Sequence, residues 1–376
     1  MISRSCNLRC RYCFVDHERQ PVHMTREIME VTAELIAARV AESGERSCQV
    51  WSGFVGESTV QFPQLDAFRD ILDREGRKQG VQLTAHVALT NATTACHPAM
   101  HGRLDEFLST TVFVSLDGPP RANDTLRVHP DGRGTYAEVL EGIGRLRGAG
   151  VQPAIEGTLT ALFPDVVEVY QHLFGLGVRY VKVKPVRARP DEPHYIGNSL
   201  EQICAAYDRL PPRLLELDDS HLLDVLLGIT SFADYFGRFL LRVIHRHVLD
   251  RRCPAALHDV WADTDGRLYA CTALFGAPEA CIGSVWDGVD EARVQELYSA
   301  LHISRREPCK DCWARFVCGG GCMHQSHLTF GDLFRPDPAE CALNKHLIEL
   351  AIWFYAELKE KRPVVLEQLQ AMSRAA

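Results

Sequence analysis

The chain has 376 residues, 46% of them hydrophobic, and a formal net charge of −8, which is enough length for a sizeable core and for two domains. The acidic balance argues against nucleic acid as a partner. No apolar run approaches the ~20 residues of a membrane span and the polar start is no signal peptide, so the expected compartment is a reducing cytoplasm, where grouped cysteines bind metal more often than they form disulfides.

The first feature along the chain is "SCNLRCRYCF" (5–14), which places Cys6, Cys10 and Cys13 at C-x3-C-x2-C spacing. Four thiolates suit a closed zinc site or a fully ligated iron–sulfur cluster. Three leave either a ligand elsewhere, such as His17 for zinc, or a metal atom open to something that is not protein. With 14 cysteines in the chain, this triplet arises by chance with probability roughly 0.02, so spacing alone does not decide.

After it, "MTREIMEVTAELIAARVAE" (24–42) has helical spacing and "CQVWSGF" (48–54) reads as an apolar strand. A helix over 62–80 ends at Gly80, and a strand follows over 81–91. The alternation continues with a strand at 111–118, a helix at 135–150, a strand at 152–160, a helix at 166–177 and a strand at 179–186. Short apolar strands separated by amphipathic helices predict parallel pairing through right-handed crossovers. About six such units fit before residue 240, fewer than the eight of a closed barrel, so the expected fold is α/β with an open, partial (β/α)6 TIM-like barrel. Chemistry in such barrels sits at the C-terminal ends of strands. Cys6 to Cys13, Gly56 and Glu57, Asn91, and Ser115 to Gly118 fall there.

Cys48, Cys96 and Cys204 are scattered singly and read as ordinary buried cysteines. The other eight lie between Cys253 and Cys341. Within that tail "CKDCWARFVCGGGC" sets Cys309, Cys312, Cys318 and Cys322 at C-x2-C-x5-C-x3-C, a pattern with a chance probability of roughly 0.0007. "LNKHLIELAIWFYAELKEK" (343–361) reads as an amphipathic closing helix.

These residues resemble the radical S-adenosylmethionine enzymes that carry a C-terminal SPASM domain, the peptide- and protein-modifying group. The likeness rests on "CNLRCRYCF" with Phe14 after the last cysteine, on "SLDGPPRANDTLR" with "GRGTY" downstream, on "GTLT" and "LGVRYVKVKPV", and in the tail on "DGRLYAC" and "IGSVWDG". The resemblance implies a barrel over 1–240, an auxiliary-cluster SPASM domain over 250–342 and a helical segment over 343–376. It implies that Cys6, Cys10 and Cys13 hold three irons of a 4Fe–4S cluster whose fourth iron binds S-adenosylmethionine. Two auxiliary 4Fe–4S clusters follow in the tail, one on Cys309, Cys312, Cys318 and Cys341, the nearer on Cys253, Cys271 and Cys322. Cys281, Asp259 or an open coordination position completes the nearer one, and His324 and His327 are expected beside ligands rather than as ligands. A zinc-ribbon-like tail is the alternative.

The family's Gly-Gly-Glu-Pro turn is "FVGES" here, with Val55 and Ser58 flanking Gly56 and Glu57. A carbonyl there or Glu57 is expected to accept the methionine ammonium. The usual Asn-Gly is Asn91-Ala92, and because Ala92 tolerates positive φ poorly, that turn is expected to differ. Asn91, Ser115 and Asp117 are candidates for the ribose or carboxylate, and Arg127 for a bidentate clamp on the methionine carboxylate. Thr272 stands where sulfatase-maturating members have an aspartate base, which weighs against formylglycine formation.

The reading is therefore a maturase that crosslinks a ribosomally made precursor peptide. The alternatives are epimerisation, excision, formylglycine formation or small-molecule radical chemistry. The expected partners are that peptide, a flavodoxin or ferredoxin reductant and, since only five residues precede Cys6, either a separate leader-recognition protein or none.

Overall fold

The structure is a computed structural model that describes residues 1–52, 55–87, 89–96, 111–255 and 259–373. Helix α1 (Arg26–Glu42) starts at Thr25, whose Oγ1 accepts the Ile28 N–H at 3.2 Å, an ordinary N-cap. Strand β1 (Ser47–Ser52), helix α2 (Phe62–Gln79) and strand β2 (Gln82–Val87) form a crossover unit in which the strands run parallel, Ser47 opposite Gln82. The last two positions of the expected 48–54 strand lie outside the described residues. Gly80 closes α2 at φ 70°, as a left-handed C-cap requires.

Within the strand expected over 81–91, β2 pairs with β1, and Leu89–Thr90, labelled β3, pairs in parallel with β4 (Phe113–Ser115); residue 88 lies outside the described residues. Next come α3 (Pro120–Leu126), α4 (Tyr136–Gly148), β5 (Ala154–Leu159), α5 (Val166–Gly175) and β6 (Val181–Pro185), with β5 and β6 parallel and Ile155 opposite Val181. Helices α6 (Leu200–Asp208), α7 (Leu210–Leu215), α8 (Asp219–Thr230) and α9 (Gly237–Ile244) follow.

The tail opens with a short antiparallel sheet of β7 (Trp261–Ala262), β8 (Arg267–Tyr269), β9 (Cys281–Ser284) and β10 (Gly288–Val289), in spatial order β10-β9-β8-β7. It ends in helices α10 (Glu291–Ala300), α11 (Arg315–Cys318), α12 (Met323–Phe330), α13 (Pro338–Lys361) and α14 (Pro363–Ser373). Helix α13 begins earlier than the expected 343, because Asp337 caps it by accepting the Glu340 N–H at 2.7 Å and Pro338 occupies its first turn.

The chain divides into two compact units that interleave along the sequence. The first holds residues 1–115, 127–153 and 254–299. In it α2 buries Leu65, Phe68 and Leu72, packing on α1 and β2, while Val112, Val114 and Val139 are also buried. The second holds 116–126, 154–253 and 300–376. There α13 packs on α6 and α9 and α14 packs on α8, with Tyr207, Phe236, Phe239, Leu343 and Phe354 fully buried. Apolar burial of this extent is the main favourable term of folding. Cys48 and Cys204 are half-buried rather than buried, since each sits where its element meets solvent. The side chain of Cys96 lies outside the described ones.

Candidate metal and cofactor site

In the first unit the cysteine loop is fixed from several directions. The Arg4 N–H donates to the Val22 carbonyl at 2.8 Å, and the Arg4 guanidinium forms a buried ion pair with Asp263. On another side Gly56 adopts φ +73°, and a Cβ there would stand 2.7 Å from the Ser5 carbonyl. Only glycine allows that approach. The same carbonyl accepts the Glu57 N–H at 2.8 Å and the Gln61 amide at 2.6 Å. The residue before Cys6 is thereby held by the turn after β1.

Asn7 links the loop to the turn after β3. Its Nδ2 donates to Thr93 Oγ1 at 2.8 Å, and its Oδ1 accepts the Asn91 amide at 2.9 Å. Asn91 Oδ1 also accepts the Thr93 N–H at 3.0 Å. Ala92 takes φ 59°, so the turn keeps the left-handed conformation that the alanine was expected to disturb. Gly142 of α4 comes close to that turn, since a Cβ there would lie 2.2 Å from the Ala92 carbonyl.

Glu57 is 2% exposed. Its Oε1 accepts from the Thr59 N–H, the Thr59 hydroxyl and the Thr90 hydroxyl at 3.1, 2.6 and 2.8 Å, and its Oε2 from the Asn91 N–H at 2.6 Å. Both oxygens are engaged by protein donors, which departs from the expected ammonium contact through its side chain. Burial pushes this carboxyl above its usual range against those hydrogen bonds.

Backbone donors and burial act on the thiols in opposite directions. The Leu8 N–H points at Cys6 Sγ from 3.4 Å and the Cys13 N–H bonds the Cys10 carbonyl at 3.0 Å. Without metal, burial and the neighbouring Glu57 carboxylate push the Cys6 thiol up to about 12. Burial also pushes Cys13 up, against Arg127 and Arg9. Arg127 stacks on Tyr12 at 5.5 Å, and Phe14 is exposed at 46%. His17 Nε2 stands 3.7 Å from Cys13 Sγ while its Nδ1 meets the Arg4 carbonyl at 3.0 Å, so a fourth donor for the zinc alternative is within reach. Among the described residues, no three His, Cys, Asp or Glu side chains are gathered tightly enough to hold a single ion. Ser115 ends β4, buried.

Asp117 belongs to the second unit, where its Oδ1 accepts the Thr158 N–H at 2.9 Å. Glu156 and Lys182 face each other across β5 and β6. Burial works against ionisation of Glu156, but Lys184 and Lys182 hold it down at about 2.

In the second unit's tail, Cys309 lies in electrostatic reach of Cys318 and Cys312, and Cys341 in reach of Cys318 and Cys309. Burial is the largest influence on both and pushes Cys341 up to about 12. Cys318 ends α11, where Gly319 at φ +74° lets the backbone pass Arg251, whose carbonyl a Cβ would meet at 2.6 Å. Cys322 caps α12, and Cys341 lies in the first turns of α13. Cys253 is in this unit, whereas Cys271 and Cys281 are in the first, Cys281 opposite Tyr269 on β9. Asp259 makes an isolated bridge with Ala255. His324 is buried, which lowers it to about 3 together with Arg187 and His327.

Sequence reasoning missed the arginines here. Arg187 and Arg252 pair with the buried Glu340 at 2.7 and 3.0 Å. Burial and the nearby Arg252 hold Arg238 and Arg242 down at about 10. An apolar cavity of about 160 Å³ between α5, α7 and α8, lined by Val167, Phe174 and Leu214 among others, contains none of these residues.

Residues 1–172 match the family model of the Radical SAM superfamily, so this part of the chain is a radical S-adenosylmethionine domain and the protein is an enzyme. Beyond that class, the chain is similar to the serine-type anaerobic sulfatase-maturating enzymes of Klebsiella aerogenes and Bacteroides thetaiotaomicron. To the first it is 25% identical over 336 residues, 85% of this chain and 78% of that protein. To the second it is 21% identical over 359 residues, 84% of this chain and 80% of that protein. Among solved structures, a tagged form of anSMEcpe with bound AdoMet superposes with a TM-score of 0.74 at 18% identity, covering 96% of this chain and 97% of that one. Native anSMEcpe with bound AdoMet and Kp18Cys peptide gives 0.73 at 17% identity, covering 98% and 97%. The chain has the α/β fold of this enzyme class. None of its described helices is long and apolar enough to cross a membrane.

Proposed function

We propose that the protein is a cytoplasmic maturase that installs a crosslink in a ribosomally made peptide, with residues 1–240 supplying the radical chemistry and 250–342 the auxiliary clusters. Cys6, Cys10 and Cys13 hold the 4Fe–4S cluster on which S-adenosylmethionine, when bound, supplies a hydrogen-abstracting 5′-deoxyadenosyl radical. Carbonyls at the Gly56 turn accept the methionine ammonium, because Glu57 is engaged by Thr59, Thr90 and Asn91. Arg127, beside Tyr12 and near Cys13, binds the methionine carboxylate. Asn91, Ser115 and Asp117 bound the ribose side, and Phe14 covers the loop.

In the tail, Cys309, Cys312, Cys318 and Cys341 carry one auxiliary cluster. Cys253, Cys271 and Cys322 carry the other, with an open position or with Cys281 or Asp259. A flavodoxin or ferredoxin supplies electrons, and a separate protein presents the precursor's leader.

The observation that carries the crosslink reading is Thr272, in the turn after Cys271. A neutral hydroxyl there does not take up a substrate proton as a carboxylate would. A second reading, oxidation of a Ser or Cys to formylglycine, is favoured by the similarity to sulfatase-maturating enzymes over 84–85% of the chain.

One experiment separates them. Reconstituted enzyme with S-adenosylmethionine and dithionite is offered the short peptides encoded beside its gene and, in parallel, a sulfatase-motif peptide. Loss of a pair of hydrogen atoms from an encoded peptide, with no hydrazide-reactive product, supports the crosslink. An aldehyde on the sulfatase peptide overturns it in favour of formylglycine.

A further inference from the structure

Four arginines, Arg238 and Arg242 of α9 with Arg187 and Arg252 from the flanking chain, gather in the second unit, three of them around one carboxylate. Glu340 is fully buried between Arg187 and Arg252, and its Oε2 accepts the Cys322 N–H at 2.9 Å. The Tyr235 hydroxyl lies 3.2 Å from Glu340 Oε1 and 2.8 Å from Asn344 Oδ1. The Arg238 guanidinium sits 3.8 Å from the Tyr235 ring centre and 4.6 Å from that of Phe239, and its buried Nε has no hydrogen-bond partner among the described residues. Arg242 Nη1 donates to the Val317 and Cys318 carbonyls at 3.0 and 3.4 Å. Asn344 Nδ2 points at Cys318 Sγ from 3.5 Å.

Glu340 is the only carboxylate that the described contacts give these guanidinium groups. The other groups of acidic character near them are the Tyr235 hydroxyl and the thiols of Cys318 and Cys322. Excess buried positive charge is costly unless an anion answers it, and the aromatic rings around Arg238 compensate only in part. A 4Fe–4S cluster on four thiolates brings about two negative charges, and its potential follows net charge and hydrogen bonds to sulfur.

We propose that Arg242, together with the Asn344 amide, is the counter-charge of the auxiliary cluster bound through Cys318 and holds its reduction potential up, while Arg187 and Arg252 face the Cys322 side. This rests on the reading that Cys309, Cys312, Cys318 and Cys341 ligate a cluster. Arg242 and Asn344 act closest to it, one through the Cys318 backbone and the other at its sulfur. Arg187 and Arg252 act through Glu340 and the Cys322 side. All are positioning residues.

The test uses the full chain with Cys6, Cys10 and Cys13 replaced by alanine, so that only tail clusters remain. Both tail midpoint potentials are followed by EPR-monitored redox titration, with iron counted in every sample. In Arg242→Gln and Asn344→Leu, one midpoint shifts to more negative potential with iron retained, and Arg242→Lys restores it. Unmoved potentials with iron intact overturn the proposal. Loss of iron in both Arg242→Gln and Arg242→Lys also overturns it, since the side chain is then needed for its shape rather than its charge. A parent protein without tail iron instead sinks the cluster reading itself, and the proposal with it.

Discussion

The two cysteine-bearing regions are built with different electrostatics. Around Cys6 much of the fastening is neutral: Asn7, Asn91 and Thr93 exchange hydrogen bonds and Thr59 and Thr90 donate to the buried Glu57, while the charged groups are the Arg4–Asp263 pair and, beside Cys13, Arg127 and Arg9. Around Cys318 and Cys322 the fastening is cationic, with Arg187, Arg242 and Arg252 near the thiols. A largely neutral lattice holds a loop in place without adding a strong field of its own, which suits a site whose charged ligand comes and goes. A cationic cage suits a group that carries negative charge permanently. The difference teaches that cysteine-bearing sites in one chain need not share a single design, and that the charge around each suits what it would hold.

The hardest way to break the comparison is to remove the first region's thiols. Alanine at Cys6, Cys10 and Cys13 together abolishes 5′-deoxyadenosine production while iron stays in the tail. Turnover in that triple variant would show that the regions had been assigned the wrong way round.

Next in size, Glu340→Gln leaves Arg187 and Arg252 without their carboxylate. Breaking a buried pair in this way costs about 3–5 kcal/mol, read as a lower denaturation midpoint of the metal-free protein. A loss below about 1 kcal/mol would mean that water reaches the cage and that its charge is screened.

Acid sharpens the contrast through two carboxylates, one in each unit. Burial raises Glu57, so its contribution to stability is full below the unfolded value of 4.5 and declines as pH rises. Lys184 and Lys182 depress Glu156 from 4.5 to about 2 against its burial, so its contribution is present above 4.5 and is lost as pH falls toward 2. Because Lys184 is half-exposed, about 1–2 kcal/mol is expected from Glu156. Hydrogen exchange between pH 5 and pH 3 should show β5 and β6 losing protection ahead of β3, and Glu156→Gln should remove most of that difference. Equal loss in both places would refute it.

The smallest effect is at Ala92. A left-handed alanine costs about 1–2 kcal/mol, while glycine forfeits about 0.5–1 kcal/mol of chain entropy and a buried methyl is lost. Ala92→Gly should therefore gain about 0.5 kcal/mol in unfolding, and a loss above 1 kcal/mol would mean that the methyl contact with α4 dominates.

Much of this was legible in the sequence where the signal is local. Cysteine spacing marked both regions, Gly80 bounded its helix as capping chemistry says it should, and short apolar runs marked the strands. What was not legible depends on pairing at a distance. That 82–87 pairs with β1 while 89–90 pairs with β4 is decided by which neighbours lie beside each, and nothing in the run itself says so. Glu57 reads as a ligand from its motif, yet Thr90 and Asn91, more than thirty positions away, occupy it. The arginine cage is spread from Arg187 to Arg252 and meets a glutamate almost ninety residues further on, so no window of sequence contains it.

Asp337 accepts the Glu340 N–H, the Thr329 hydroxyl and the Tyr195 hydroxyl at 2.7, 2.8 and 2.7 Å, and in doing so it sets the angular phase of α13. Each residue of an α-helix advances about 100° around the axis. Inserting or deleting one residue between Asp337 and Glu340 would therefore rotate Glu340, Cys341 and Asn344 together, turning the acid away from the guanidinium groups and the amide away from Cys318. Within the first two turns of the helix, a single-codon insertion or deletion is a far graver lesion than almost any substitution.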